Sequence, residues 1–151
     1  MEFRNENILL DVAVKDKLAL FDYIADYAVT HKIVADGDAL VEAFLKRERE
    51  VSTGLQDSFA IPHAKAAFIN EPIVLFLKLS QPIEWETFDD KPVANVFALL
   101  VPSEFEGMVH LQMISQIATS LMEETFTDII KHTDDVALLT KTISSAMNGE
   151  Y

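Results

Sequence analysis

The 151-residue sequence contains no cysteine, only four glycines and one tryptophan. Without cysteine the chain forms neither disulfides nor thiolate zinc sites, which suits a reducing cytoplasm. Its longest apolar stretches, residues 73–77 and 96–101, fall far short of the about 20 residues that a membrane-spanning helix needs. The polar N-terminus, residues 1–6, lacks the pattern of a secretory signal. We therefore expect a cytoplasmic protein without a membrane-inserted segment.

Basic residues are also scarce: 12 lysines and arginines against 25 aspartates and glutamates give a formal charge of -13. Such a chain repels a phosphate backbone and gains nothing from counterion release, so nucleic acid is not an expected partner. Basic proteins, or small anions held at a local site, are expected instead. Hydrophobic residues make up 50% of the chain, which is enough for the core of a single domain over residues 1–151.

Helical and strand-like segments alternate along the chain without low-complexity linkers or repeats. The hydrophobic spacing predicts helices over residues 17–30, from the Asp36-Gly37-Asp38 turn towards Arg47, and over 108–121, 126–131 and 136–147. Near-continuous apolar runs over residues 73–79 and 93–101 are typical of central strands covered on both faces. These patterns predict an α/β fold, a single three-layer α/β/α domain with a mixed, mostly parallel central sheet flanked by helices.

A histidine that follows a proline, His63, is the first candidate for chemistry. It lies in the segment Phe59-Ala60-Ile61-Pro62-His63-Ala64-Lys65. Proline fixes its own backbone and pushes the preceding residue into an extended conformation, so His63 is expected to leave a strand end in a defined direction. An imidazole with an ordinary pKa of about 6.5 is mostly neutral at pH 7 and can attack phosphorus without a separate base.

Two neighbouring features suit an anion beside this histidine. Gly54 can adopt a positive φ and let the amides and hydroxyls of Ser52 and Thr53 converge on one point, as in many anion sites. Arg47, at the end of a predicted helix, carries a planar fork of donors that matches phosphoryl oxygens. The combination predicts a histidine that receives a phosphoryl group.

The chain resembles a known family, the fructose and mannitol class (type 2) of phosphotransferase-system (PTS) IIA proteins, which also contains the nitrogen-regulatory IIA proteins. The resemblance covers nearly the whole chain and rests on ordered motifs: Arg47-Glu48, Ser52-Thr53-Gly54, Ala60-Ile61-Pro62-His63, Pro82-Ile83-Glu84-Trp85, Lys91-Pro92-Val93, the apolar run 96–102 and His110-Leu111.

The resemblance implies that His63 accepts a phosphoryl group from a phosphohistidine on the small carrier HPr and passes it to a IIB component of a sugar permease. It implies that His110 is the second active-site histidine, which orients His63, and that Arg47 faces the phosphate. Ser52, Thr53 and Gly54 are then the phosphate-binding turn. No cofactor or metal is required in the family. HPr presents a positively charged surface, so an acidic docking face would complement it.

Two loops depart from the family pattern. Where the family commonly has further glycines, residues 55–59 read Leu-Gln-Asp-Ser-Phe, and a carboxylate at Asp57 would repel a nearby anion. The turn over residues 88–91 lacks the glycine that usually precedes the Lys-Pro position. These differences bear on the conformation of the loops and on the choice of partner.

Alternative functions from other classes remain. A regulatory protein of the nitrogen type would use phosphorylation of the same His63 to switch its binding to other proteins. A metal-dependent hydrolase with His63 and His110 as ligands is disfavoured, because the sequence has no His-x-x-x-His or Glu-x-x-His spacing. Glu48 is interpreted as a solvated helix charge outside the site, and Trp85 as the anchor of a loop on the core.

Overall fold

A computed structural model describes the backbone of residues 2–103 and 108–149, and their side chains except those of residues 108–111 and 113. A 3₁₀ turn at Asn5–Asn7 opens the chain. The elements that follow are β1 (Ile8–Val12), α1 (Lys17–Thr30), α2 (Gly37–Glu50), β2 (Phe59–Ala60), β3 (His63–Ala66), β4 (Ile73–Ile83), β5 (Val93–Pro102), α3 (Met108–Ser120), α4 (Glu124–His132) and α5 (Val136–Met147).

The strands of the described residues form one mixed sheet. β1, β4, β5 and β2 lie side by side in that order, and β3 also pairs with β5. The central pair, β4 with β5, is antiparallel, whereas β1 runs parallel to β4 and both β2 and β3 run parallel to β5. The two long apolar runs thus form the two central strands, and the mixed, mostly parallel sheet predicted from the sequence is confirmed.

Helices cover both faces of this sheet. Alternate residues of β4 point to opposite sides, so Leu75 packs with α1 and α2 while Phe76 packs with α3, α4 and α5. Phe21 and Phe44 stack in the first layer, with ring centroids 4.9 Å apart. The second layer has its own buried cluster around Phe97. The three-layer arrangement expected from the sequence is therefore confirmed.

Aspartates start three of the helices. The carboxylates of Asp16, Asp36 and Asp135 accept hydrogen bonds from backbone N–H groups in the first turns of α1, α2 and α5. Such caps satisfy donors that have no partner within the helix and so define where it begins. None of the described helices is long and apolar enough to cross a membrane.

β2 and β3 are two parts of one path along β5, interrupted at residues 61 and 62. Phe59 lies opposite Asn95 and His63 opposite Leu99, so the register continues across the gap. Pro62 has no N–H to donate, but its carbonyl still accepts a hydrogen bond from Leu99 at 3.0 Å. His63 thus begins a strand instead of leaving the end of one, and the sequence expectation was wrong on this point.

Candidate functional site

His63 and Arg47 line the same cleft, which has a volume of about 610 Å³ and lies between α2 and β3. The charged side chains in its described lining are the cations Lys46, Arg47, Arg49 and Lys65 and the carboxylates Glu42 and Glu50. Cations therefore outnumber carboxylates in this part of the lining. The acidic docking face expected for a basic partner is not formed by these residues.

Arg47 lies in the last turn of α2, where a positive charge interacts favourably with the helix dipole. Its Nη1 donates a hydrogen bond to the carbonyl oxygen of Val51 at 2.8 Å. This bond holds the half-buried guanidinium at the end of the helix, next to the cleft. The positive charge of Arg47 and the imidazole of His63 thus line the same cleft.

The environment of His63 favours a neutral ring. Burial and the positive charge of Arg47 lower the pKa of His63 below its ordinary 6.5. The carbonyl groups of Ile61 and Pro62 and the negative charge of Glu48 oppose this shift without reversing it. Nδ1 is buried and has no hydrogen-bond partner among the described groups. At pH 7 the ring therefore keeps a lone pair available for attack.

His110 is the third residue of α3, but its side chain lies outside the described residues. Its predicted position beside His63 stays a prediction. The metal-site alternative used the same two histidines as ligands. In the described part of the chain, no group of three or more His, Asp or Glu side chains is arranged to hold a metal ion.

The Ser52-Thr53-Gly54 turn does bind an anion, but the anion is a carboxylate of this chain. Thr53 donates its backbone N–H to Glu48 Oε1 at 3.0 Å and its hydroxyl to Glu48 Oε2 at 2.6 Å. The hydroxyl of Ser52 donates to the carbonyl oxygen of Glu86 at 2.6 Å. These donors are directed at protein acceptors in this structure, so a phosphate-binding role of the turn stays a prediction.

Glu48 is buried, and its interpretation as a solvated helix charge was wrong. Only 7% of its side chain is exposed. Besides the two donors of Thr53, it accepts a hydrogen bond from Nε1 of Trp85 at 2.9 Å, and Nζ of Lys17 lies 3.9 Å from Oε1. Trp85 packs edge-on against Phe21, which confirms it as a loop anchor on the core. The carboxylate therefore joins α1, α2, the turn and this loop.

Gly54 is required by close packing and not by its backbone angle. It is not among the described residues with positive φ. A Cβ at this position would lie 2.7 Å from Cδ1 of Trp85 and 2.8 Å from Cγ2 of Thr87, and it would also collide with the carbonyl oxygen of Glu86. The expectation that Gly54 serves the turn through a left-handed conformation was therefore wrong.

The loop that lacks the family's glycines forms a tight turn with left-handed backbone. Asp57 and Ser58 have φ of 59° and 71°, and the N–H of Phe59 donates to the carbonyl of Gln56 at 3.2 Å. Two successive positive φ angles characterise hairpin turns that favour glycine. Here other residues adopt the same conformation.

Tertiary contacts hold this turn in place. The carboxylate of Asp57 accepts two hydrogen bonds from Nζ of Lys131 on α4, at 2.8 and 2.9 Å. The N–H of Asp57 donates to Asp89 at 2.9 Å, and Nδ2 of Asn95 donates to the hydroxyl of Ser58 at 2.9 Å. The negative charge of Asp57 is thus neutralised by a lysine, which reduces the repulsion of an anion that the sequence suggested.

Comparison with known proteins identifies close likenesses. The family model for the phosphoenolpyruvate-dependent sugar phosphotransferase system, EIIA 2, matches residues 1–146. The chain is 37% identical over 119 residues to the PTS system fructose-specific EIIA component of Haloferax volcanii, covering 79% of this chain and 77% of that protein.

Solved structures of known proteins share this fold. The nitrogen regulatory protein IIA-Ntr of Neisseria meningitidis superposes with a TM-score of 0.82 and 25% identity, covering 93% of this chain and 94% of that one. The mannitol IIA of Escherichia coli, solved in complex with phosphorylated enzyme IIB, superposes with a TM-score of 0.76 and 20% identity, covering 93% and 95%. The second likeness concerns the fold alone.

Replacing Gly54 with alanine is expected to destabilise the protein. The added methyl group has no space, and such overpacking costs about 1–3 kcal/mol. Gly37→Ala is the matched control, because its Cβ would meet Val29 and Ala25 at ordinary distances of 3.4 and 3.5 Å. The control is expected to be neutral or to gain up to about 1 kcal/mol. Urea unfolding measures both; equal stabilities of the two variants would contradict this account of Gly54.

The imidazole of His63 is expected to titrate below pH 6.5, and Arg47→Gln is expected to raise the midpoint by removing a positive charge. NMR of the ring Cε1–H groups measures this, with the His63 signal identified by its loss in His63→Gln. Arg49→Gln, a second cation of the cleft lining, is the control and is expected to have a smaller effect. A wild-type midpoint above 6.5, or one insensitive to Arg47→Gln, would show that the electrostatics are misassigned.

Proposed function

Because the chain belongs to the EIIA 2 family of the phosphoenolpyruvate-dependent sugar phosphotransferase system, we propose that it is the IIA phosphocarrier of a sugar permease. In this proposal His63 accepts a phosphoryl group from phospho-HPr and donates it to a cognate IIB component, for uptake of a carbohydrate of the fructose, mannitol or galactitol class. One observation carries the proposal: a neutral imidazole and a fixed guanidinium line one open cleft.

The chemistry is an in-line exchange of one N–P bond for another. Nδ1 of His63 is buried, so we assign the attack to Nε2, which places the proton of the neutral ring on Nδ1. As the bond from phosphorus to Nε2 forms, the bond from phosphorus to the donor histidine breaks, and the donor nitrogen takes back its electron pair. The exchange is close to thermoneutral, so the same group can leave again for IIB.

Such a transfer asks the protein mainly for positioning and for positive charge around the phosphoryl oxygens, because its transition state is loose. Arg47 supplies the charge at the cleft. His110 is proposed to orient His63 and to bind the phosphoryl group from the start of α3. Ser52, Thr53 and Gly54 form the proposed phosphate-binding turn, in which the donors of Thr53 are directed at Glu48 in this structure.

The similar proteins support the proposed partners. The Haloferax volcanii relative is named a fructose-specific EIIA component, and the mannitol IIA of the same fold was solved bound to phosphorylated IIB. In this role the phosphoryl donor is HPr, and the protein works in the cytoplasm. The membrane component of the permease would be a different part of the system.

A regulatory role is the second candidate, and the likeness to IIA-Ntr favours it. In that case His63 would be phosphorylated by the same chemistry, and the phosphoryl group would change the binding of other proteins instead of moving on to a sugar. The two roles differ in the fate of the phosphoryl group. They do not differ in the site that receives it.

Incubation with phosphoenolpyruvate, enzyme I and HPr is expected to add a single acid-labile phosphoryl group, detected as an intact-mass increase. The adduct is expected to be absent from His63→Gln, because that variant lacks the attacking nitrogen. His132→Gln, which changes an exposed histidine at the end of α4, is the control and is expected to behave as the wild type.

Adding a IIB component to the purified phosphoprotein then separates the two roles. Transfer to a fructose- or mannitol-class IIB would support the transport role, and a stable phosphoprotein with every IIB tested would favour the regulatory one. Phosphorylation of His63→Gln at the wild-type level would refute the site, and a wild type that accepts nothing from phospho-HPr would refute the proposed function.

A further inference from the structure

The geometry points to Glu48 as a positioning residue for the phosphoryl transfer proposed above. We propose that its buried carboxylate fixes both the backbone that carries His63 and the helix end that carries Arg47. The inference depends on the proposed function of His63, but it concerns a residue that makes no contact with the phosphoryl group.

A short chain of hydrogen bonds leads from Glu48 to His63. The carboxylate takes both donors of Thr53, at 3.0 and 2.6 Å. The carbonyl oxygen of Thr53 then accepts the N–H of Ile61 at 3.0 Å, where β2 and β3 are interrupted. Pro62 follows with a fixed φ, so the orientation of Ile61 sets the direction in which His63 enters β3. Two hydrogen-bonded steps, from Glu48 to Thr53 and from Thr53 to Ile61, and then Pro62 separate the carboxylate from His63.

Further groups hold the same carboxylate. Trp85 donates to Oε1 at 2.9 Å from a ring that is itself packed in the core. Lys17 lies 3.9 Å from the same oxygen and 5.4 Å from the centre of the Trp85 ring. A buried carboxylate with donors on both of its oxygens has one stable orientation, because losing any of them leaves a polar group unpaired away from water.

Arg47 precedes Glu48 in the last turn of α2, so the same anchor bears on the second half of the site. Glu48 ties this turn of the helix to Thr53, and Arg47 ties it to the carbonyl of Val51. The last turn of α2 is therefore tied to the segment that follows it through two neighbouring residues. An error of about 1 Å in the alignment of reacting groups can cost up to about a hundredfold in rate, which is why such an anchor matters for transfer.

Glu48 also contributes charge to the site. Among the residues whose side chains are described, the charged groups around His63 are Arg47 and Glu48, the other cations of the cleft lining, Lys46, Arg49 and Lys65, and the carboxylates Glu42 and Glu50. Nζ of Lys17 lies 3.9 Å from Glu48. Because the carboxylate favours the protonated ring, its removal lowers the pKa of His63 further. The NMR titration of His63 therefore reports whether this carboxylate acts on the ring, independently of the rate of transfer.

The test compares the wild type with Glu48→Gln, which keeps the shape of the side chain and removes its charge. Two phosphoryl donors are used: phospho-HPr, and phosphoramidate, whose P–N bond breaks with release of ammonia as the bond to His63 forms. We expect Glu48→Gln to accept phosphoryl groups at least about tenfold more slowly from both donors. The NMR titration midpoint of His63 is expected to fall relative to the wild type.

Controls separate positioning from stability. Ile143→Ala removes core volume on the opposite face of the sheet and is expected to lower the melting temperature while transfer by the folded protein stays within about twofold of the wild type. Thr53→Val removes the hydroxyl that donates to Glu48 and is expected to slow transfer, whereas Thr53→Ser keeps the hydroxyl and is expected to restore it. If circular dichroism shows that Glu48→Gln does not fold, the transfer rates of the two Thr53 variants test the proposal instead.

Folded Glu48→Gln with wild-type transfer rates and an unchanged His63 midpoint would overturn the proposal. So would equal rates for Thr53→Val and Thr53→Ser. If the wild type reacts with phosphoramidate but not with phospho-HPr, the proposed function fails while the role of Glu48 is still measured. If it reacts with neither donor, the proposed function and the role of Glu48 in transfer are both refuted.

Discussion

A buried carboxylate is the constraint on which the candidate site depends. Glu48 has 7% of its side chain exposed and accepts hydrogen bonds from Thr53 and Trp85. Burying a charge is costly unless every lone pair finds a donor, so the partners of Glu48 are held as firmly as the carboxylate itself. The path through Thr53 ends two residues before His63, and the neighbour of Glu48 in the helix is Arg47. One carboxylate thus connects the strand segment that carries His63 with the helix end that carries Arg47.

Most of the fold could be predicted from the sequence, because local signals and packing agree. The predicted bounds of α1 and α5 match the structure to the residue, since an aspartate caps each helix and the apolar positions repeat at helical spacing. The apolar runs of β4 and β5 lie between predicted helices in the sequence, and this order correctly predicted a sheet with helices on both faces. β1, with five residues and no alternation of apolar and polar side chains, was not recognised. The interruption between β2 and β3 depends on pairing with β5, which the local sequence does not contain.

The sequence predicted the site residues that lie in recognisable motifs. It did not predict the contacts between residues that are distant in the sequence. His63 and Arg47 line a common cleft, in keeping with the sequence pattern around them. Glu48 was missed because it lies in a run of charged residues, 46–50, that is typical of a solvated helix end. Its partner Trp85 lies 37 residues further along the chain. The N–H of a tryptophan in a core needs an acceptor, and this requirement was the signal that could have indicated a buried carboxylate. Asp57 was expected to repel an anion, and only the tertiary structure shows its pairing with Lys131.

The central claim is that the fold presents one nitrogen of one histidine for phosphoryl transfer. It is tested most directly by phosphorylating ¹⁵N-histidine-labelled protein with phosphoenolpyruvate, enzyme I and HPr, and assigning the modified nitrogen by long-range ¹H–¹⁵N correlation. The account predicts a phosphoryl group on Nε2 of His63, because Nδ1 of that ring is buried. A phosphoryl group on Nδ1 of His63, or on any other histidine, would contradict it.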